Sequence, residues 1–242
     1  MSNEAKSHYL ANELPSNIED MQIGQHFLDP DLANSPHPEI NSLAQVHNGF
    51  RTTLTNLVQS RQVIDPEQTL DKSFMDGHRL AEQRKAQLLS MSERAAKQAH
   101  DTLGALDNDI TNALALRDPP GGTEIRSHFK SLPTEERLSS LIARADVGDF
   151  ETLAAVLTQK GYLSGMTDQQ LEVLRKHHAE RNAPDQVKRK AVIIKAIKHV
   201  MDAHIQFVLN AAQLFPQDRI DAINTKKKAA SSIREAISTG GF

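Results

Sequence analysis

The sequence predicts an all-α protein: an elongated helical chain with two long helices, a cluster of short helices and an extended N-terminal arm. Three observations carry this expectation. Between Pro66 and Pro119 about fifty residues contain no proline, and Leu70, Phe74, Ala81, Leu88, Ala95, Ala99, Leu103, Leu106, Ile110 and Ala113 recur at steps of three, four or seven. That is the period of one helix face. A second run, Asp185 to Phe215, repeats the pattern through Val187, Ala191, Ile194, Ile197, Met201, Ile205, Val208, Ala212 and Phe215. Finally, aromatic residues are 4% of the chain, Trp is absent, and no segment of useful length alternates as a strand does. Helical cores can be built from Leu, Ile and Ala, whereas sheets draw on aromatic and β-branched side chains.

The arm, residues 1–39, is irregular. Pro15, Pro30, Pro36 and Pro38 interrupt it, and no helical period survives. Through Ser42 it carries Glu4, Glu13, Glu19, Asp20, Asp29, Asp31 and Glu39 against Lys6 alone, a net −6. The whole chain is −3, so the remainder is +3. The asymmetry suggests an acidic arm and a helical body, the arm being either a solvated tail or laid across a neighbouring copy.

Residues 40–117 are expected to form a long-helix hairpin. Its first helix runs from Ile40 to Val63, with Leu43, Val46, Phe50, Leu54, Leu57 and Val58 on one face, Gly49 as a weak point, and Asp65-Pro66 as the stop. Its second is the long helix, reaching roughly 60–70 Å at 1.5 Å per residue. Gly77 and Gly104 soften it, with Gly77 an alternative start, while Glu82, Arg84, Lys85, Arg94 and Lys97 keep its outer face wet. A helix this long calls for neighbours, so Phe74, Leu88, Leu103, Leu106 and Ile110 are the expected oligomer interface.

Arg117-Asp118-Pro119-Pro120-Gly121-Gly122 is the strongest breaker and the expected domain boundary and hinge. Residues 123–183 then read as short helices. Thr123 is placed to cap one that carries Ile125, Phe129 and Leu132. Pro133 opens another, with Glu135 and Glu136 in its first turn and Leu138, Leu141 and Ile142 inward. Asp149 caps a third, with Phe150, Leu153, Ala154 and Leu157 inward. Thr167 and Gln170 form a capping box before Leu171 and Leu174. In residues 184–242, Pro184 and Asp185 open the second long helix. Val192, Ile193, Val200 and Leu209 widen its apolar face, which predicts burial on two sides. Asp218 caps a last helix with Ile220, Ile223, Ala230, Ile233 and Ile237 inward, and Phe242 ends the chain as an apolar plug.

The residues offer little for catalysis. With no Cys, disulfides, thiolate metal sites and Cys nucleophiles are excluded. Among eleven His, neither H-x-x-x-H nor E-x-x-H occurs, His177 and His178 point about 100° apart on a helix, and His199 and His204 do not share a face. Surface or capping roles are expected for them. Asp107-Asn108-Asp109 lacks the Gly and the twelfth-position Glu of a calcium loop. Pro119 to Thr123 lacks the strand and the G-K-[ST] of a nucleotide loop. No metal, cofactor or enzymatic activity is expected. No apolar run approaches a membrane span, and MSNEAKSHYL lacks the basic and apolar regions of a signal peptide. The one polar feature that stands out is late and basic. Lys188, Lys195 and Lys198 share a helical stripe, and Lys226, Lys227 and Lys228 follow. They suit an acidic partner first and DNA second, because no aromatic residues are interleaved for base stacking.

Ser131–Leu138, Asp149–Leu157 and Gly161–Asp168 together resemble segments of small helical proteins of tailed bacteriophages. The resemblance spans about residues 131–180 and transfers no catalytic residue. It implies a virion component or assembly factor: a head–tail connector or adaptor, a head accessory protein, or a scaffold. The combined expectation is a structural, homo-oligomeric protein of the virion or host cytoplasm. It contacts other virion proteins, with the arm clasping a neighbour. The alternative is a scaffolding or DNA-packaging-associated protein working through the Lys188–Lys198 stripe.

Overall fold

The computed structural model describes residues 14–25, 29–63, 67–114 and 116–239, and for 113 and 114 the backbone alone. Glu4, Lys6, Glu13, Asp65, Pro66, Phe242 and the side chain of Ala113 lie outside the described residues. The protein is all-α, and among the described residues no strand occurs. Its helices are α1 (Pro30–Ala33), α2 (Pro38–Gln62), α3 (Leu70–Leu114), α4 (Gly122–Ser131), α5 (Thr134–Asp146), α6 (Phe150–Leu157), α7 (Asp168–Asn182), α8 (Pro184–Leu214) and α9 (Gln217–Thr239). The long period between the two prolines is one uninterrupted helix, about 67 Å at 1.5 Å per residue. Gly77 lies inside it and does not mark its start.

The chain divides into two compact units, Met1–Ala99 with Ile194–Phe242, and His100–Ile193. Both divisions fall inside long helices, and the expected boundary at Arg117–Gly122 lies within the second unit.

In the first unit, α2 runs antiparallel to the start of α3. Ser42 meets Gln98, Gly49 meets Leu88, and Ser60 approaches Gly77. The helices approach closely at Gly49: a Cβ there would sit 2.5 Å from Leu88 Cδ2, so a larger residue makes the Leu88 side chain shift. Gly77 likewise admits the ring of Phe215, whose Cε1 stands 3.0 Å from where a Cβ would be. The later part of α8 completes the bundle. The Phe50 ring lies 5.5 Å from those of His204 and Phe207. Phe74 lies 5.5 Å from Phe215. Ile40, Leu43, Phe50, Leu54, Leu57, Phe74, Val200, Ala203 and Phe207 are buried.

The described part of the arm departs from the expectation of an irregular segment. It forms a 3-10 turn at Ile18–Asp20 and the short α1, and Ile18, Met21, Ile23 and Leu32 are buried in their own chain. Asn17 donates to Gln213 at 3.3 Å. Asp29 caps α1 by accepting from the Asp31 N–H and also pairs with Lys195. The apolar anchors, too sparse for a helical period, are used within the chain.

The second unit packs α4 to α7 around Phe129, Leu141, Leu153, Val156, Leu157, Met166, Leu171 and Leu174. The Asp149 cap and the Thr167–Gln170 capping box form as the sequence predicts. Thr123 does not cap: α4 begins two residues earlier than that cap would set, at Gly122 behind Gly121, whose φ of 81° suits glycine, and the Thr123 hydroxyl instead accepts from Arg126. The expected hinge is a clamped corner. Arg126 Nη1 donates to Asp118 Oδ1 at 2.7 Å and to the Ala155 carbonyl at 2.8 Å, and Gln159 donates to the other Asp118 oxygen at 3.1 Å. Phe150, expected inward, is 53% exposed and lies against the ring of His178.

Gly104 has open space around it, with nothing within 4 Å of an added Cβ. Gly104→Ala is therefore expected to raise stability by about 0.5–1 kcal/mol, read as a higher urea midpoint. A lowered midpoint would contradict a plain helical environment there.

Candidate functional site

Helix α8 has two apolar faces on opposite sides. One is the core face, carrying Ile193, Ala196, Val200, Ala203, Phe207 and Leu214, all buried. The other carries Ile194, Met201, Ile205 and Leu209, exposed by 50%, 59%, 53% and 54%. Steps of seven, four and four keep these four in one row, and the exposed Ala212 extends it. The sequence places this row in the core; in the structure the core takes the opposite row. The cause is size. Ala196 and Ala203 let α8 come close to its neighbours, and Phe207 fills the space against Phe50. The wide face anticipated burial on two sides, and within this chain one side is buried.

The residues expected to join copies have other positions. Phe74, Leu88 and Leu106 are buried within the chain and so are unavailable to a second copy, while Leu103 and Ile110 are partly buried. The heptad rhythm of α3 supplies the protein's own core.

The basic residues scatter. Lys188 and Lys198 are exposed. Lys195 pairs with Asp29, so the acidic partner expected from a neighbour comes from the chain's own arm. The ammonium of Lys195, with the Asp31 N–H, holds the Asp29 carboxyl below the usual carboxylate range, and Lys195 is raised in return. Lys190 pairs with Asp107. Lys226 stands 4.0 Å from Asp71, which Arg219 also approaches at 3.7 Å. Lys227 and Lys228 are exposed. From Thr225 to Thr239 every residue of α9 is exposed, including Ile233 at 60% and Ile237 at 74%. Only the first half of the expected inward face, Ile220 and Ile223, is buried.

No group of three or more His, Asp or Glu is placed to hold a metal among the described residues. His177 accepts no such role: its Nε2 lies 2.9 Å from Asp146, which Arg181 also meets. His178 departs from the expected surface position. It is 1% exposed, accepts at Nδ1 from Asn182 at 2.9 Å, and its Nε2 is buried without a partner among the described residues. That hydrogen bond requires the neutral ring. Burial, with His177 beside it, lowers its pKa below the ordinary 6.5. The unfolded chain therefore protonates first, and the stability His178 contributes is full above pH 6.5 and is lost as pH falls through the lower folded value. The urea midpoint of the second unit is expected to fall between about pH 7.5 and about pH 5, and His178→Gln to flatten that slope. An unchanged slope in the variant would assign it elsewhere.

Comparison with family models, curated proteins and solved structures finds no match. The fold and surface define a helical protein with uncovered apolar helix faces, and no helix among the described residues is long and apolar enough to cross a membrane.

Proposed function

We propose that this chain is a non-enzymatic structural protein of a multi-subunit assembly, a tailed-phage virion component such as a head–tail connector, adaptor or head accessory protein. The observation that carries the reading is the row Ile194, Met201, Ile205 and Leu209. Each unit already has its own core, yet four large apolar side chains stand in line on the far side of a long helix. Exposed apolar side chains aligned on one face, with Lys198 between Ile194 and Met201, suit a surface that another chain covers. The phage setting rests on the resemblance in residues 131–180. With Ile18, Met21, Ile23 and Leu32 used inside the chain, assembly works through helix faces rather than through the described part of the arm. The test is quantitative mass spectrometry of gradient-purified particles from cells carrying the gene. The chain is expected at a fixed copy number that survives a high-salt wash. Recovery only in the free fraction would overturn the reading.

A second reading, a scaffolding or DNA-packaging-associated protein, is favoured by one feature: the fully exposed run of α9 with Lys226, Lys227, Lys228 and Arg234. Its DNA affinity would fall steeply with salt and would lose most of its salt slope when the three lysines become Glu. Absence of binding at low salt would remove it.

A further inference from the structure

Arg61, the penultimate residue of α2, is a buried charge without an anion. Its side chain belongs to the interior of the first unit, and the residue is 7% exposed. Its Nε is buried with no hydrogen-bond acceptor, and among the described residues no carboxylate pairs with the guanidinium. Arg126, buried to the same degree, shows the usual outcome: it donates to Asp118, Thr123 and the Ala155 carbonyl. Arg61 has aromatic rings instead, Phe74 with its centre at 4.8 Å and Phe215 at 5.8 Å. Rings satisfy the faces of a guanidinium and leave its edge, where the five N–H donors lie. Burying that edge unmet costs more than a ring contact returns. Burial lowers the Arg61 pKa, and no neighbouring carboxylate offsets it.

We infer that Arg61 anchors an anion site in the first unit, taking an oxyanion that offers two oxygens to one guanidinium, a carboxylate or a phosphate. This goes beyond the assembly reading and does not rest on it. A planar fork matches two oxygens on one centre, and each hydrogen bond it makes to them is charge-assisted. The Phe74 and Phe215 rings hold the fork in place, so little freedom is left to lose on binding. A second guanidinium stands beside it. Arg219, in the first turn of α9, lies 4.4 Å from the centre of the same Phe74 ring. The nearby acid, Asp71, is engaged by Arg219 at 3.7 Å and approached by Lys226 at 4.0 Å. It leaves Arg61 to an anion from outside the chain. With rings against the faces of the guanidinium, that anion approaches along the edge.

The experiment titrates the full-length chain with sodium phosphate, and separately with sodium acetate, to about 20 mM at fixed ionic strength. The side-chain N–H signal of Arg61 in heteronuclear NMR is expected to move and saturate with a dissociation constant of about 1 mM. The anion that saturates at the lower concentration names the class. At ten times its dissociation constant it is expected to raise the melting temperature by about 3–6 °C. Arg61→Met keeps most of the volume and removes the unpaired charge, so it is expected to fold and to lose that rise. Arg61→Lys, a charge without the fork, is expected to bind at least about tenfold more weakly. Lys227→Met, at an exposed cation of α9, is expected to keep the full response. An Arg61 signal unmoved by both anions would mean that water meets the edge, and would overturn the inference. An equal rise in Arg61→Met, or wild-type affinity in Arg61→Lys, would overturn it too. If Arg61→Met does not fold, the wild-type signal and Arg61→Lys decide.

Discussion

Phe74→Ala is expected to destabilise the first unit by about 3–5 kcal/mol. Phe74 is fully buried, and its ring is the meeting point of three elements. Phe215, after the end of α8, packs at 5.5 Å, the guanidinium carbon of Arg61 stands 4.8 Å from the ring centre, and that of Arg219 4.4 Å. Arg61 is itself buried, and burial lowers its pKa from the ordinary guanidinium value. Removing the ring opens a cavity and takes the negative π-face from two cations, one of them desolvated. Phe74→Leu, which fills much of the volume but offers no π-face, should fall between wild type and Ala. Hydrogen exchange reads the loss locally: amides of 38–62 and 70–99 should lose protection while those of 122–182 keep it. A loss below about 1 kcal/mol would show that the ring is not a keystone.

Arg126→Met is expected to cost the second unit about 2–3 kcal/mol, less than a fully buried pair because Asp118 keeps 35% exposure. The guanidinium ties three parts of the unit: Asp118 before α4, Thr123 within it, and the Ala155 carbonyl of α6. Its loss leaves the Asp118 carboxylate with Gln159 alone and the Ala155 oxygen without that donor. The Pro119-Pro120-Gly121-Gly122 corner should then open. Limited proteolysis near residues 116–121 would read this as faster cleavage in Arg126→Met than in wild type. Equal cleavage would mean that the prolines alone hold the corner.

The sequence revealed most where a local rule acts alone. The seven-residue steps of α3, the Asp149 cap and the Thr167–Gln170 box follow from helical period and capping chemistry, and each forms. It misled where two faces compete. In α8 both rows are apolar at helical spacing, so periodicity cannot say which one meets the core. The small Ala196 and Ala203 decide it, because close approach needs small side chains and long-range packing selects them. The same limit holds in α3, whose regular row predicts an interface: Phe74, Leu88 and Leu106 lie in the chain's own interior, and Leu103 and Ile110 are partly buried. The arm shows a third case. Ile18, Met21, Ile23 and Leu32 have no period, and their burial depends on partners far along the chain. The salt link between Asp29 and Lys195 joins residues 166 positions apart, beyond the reach of any local pattern. The sequence names Ile194, Met201 and Ile205 as a buried face, widened by Leu209, and the placement of Phe207 against Phe50 gives the core to the other side.

Sedimentation equilibrium of the full chain tests the proposed reading, that this chain is an assembly subunit that associates with its own copies. Over about 5–200 µM, the weight-average mass is expected to rise from the 26.8 kDa of one chain toward twice that value. Ile205→Glu should hold it at the lower value throughout. A wild-type mass fixed at 26.8 kDa across the range would contradict the account.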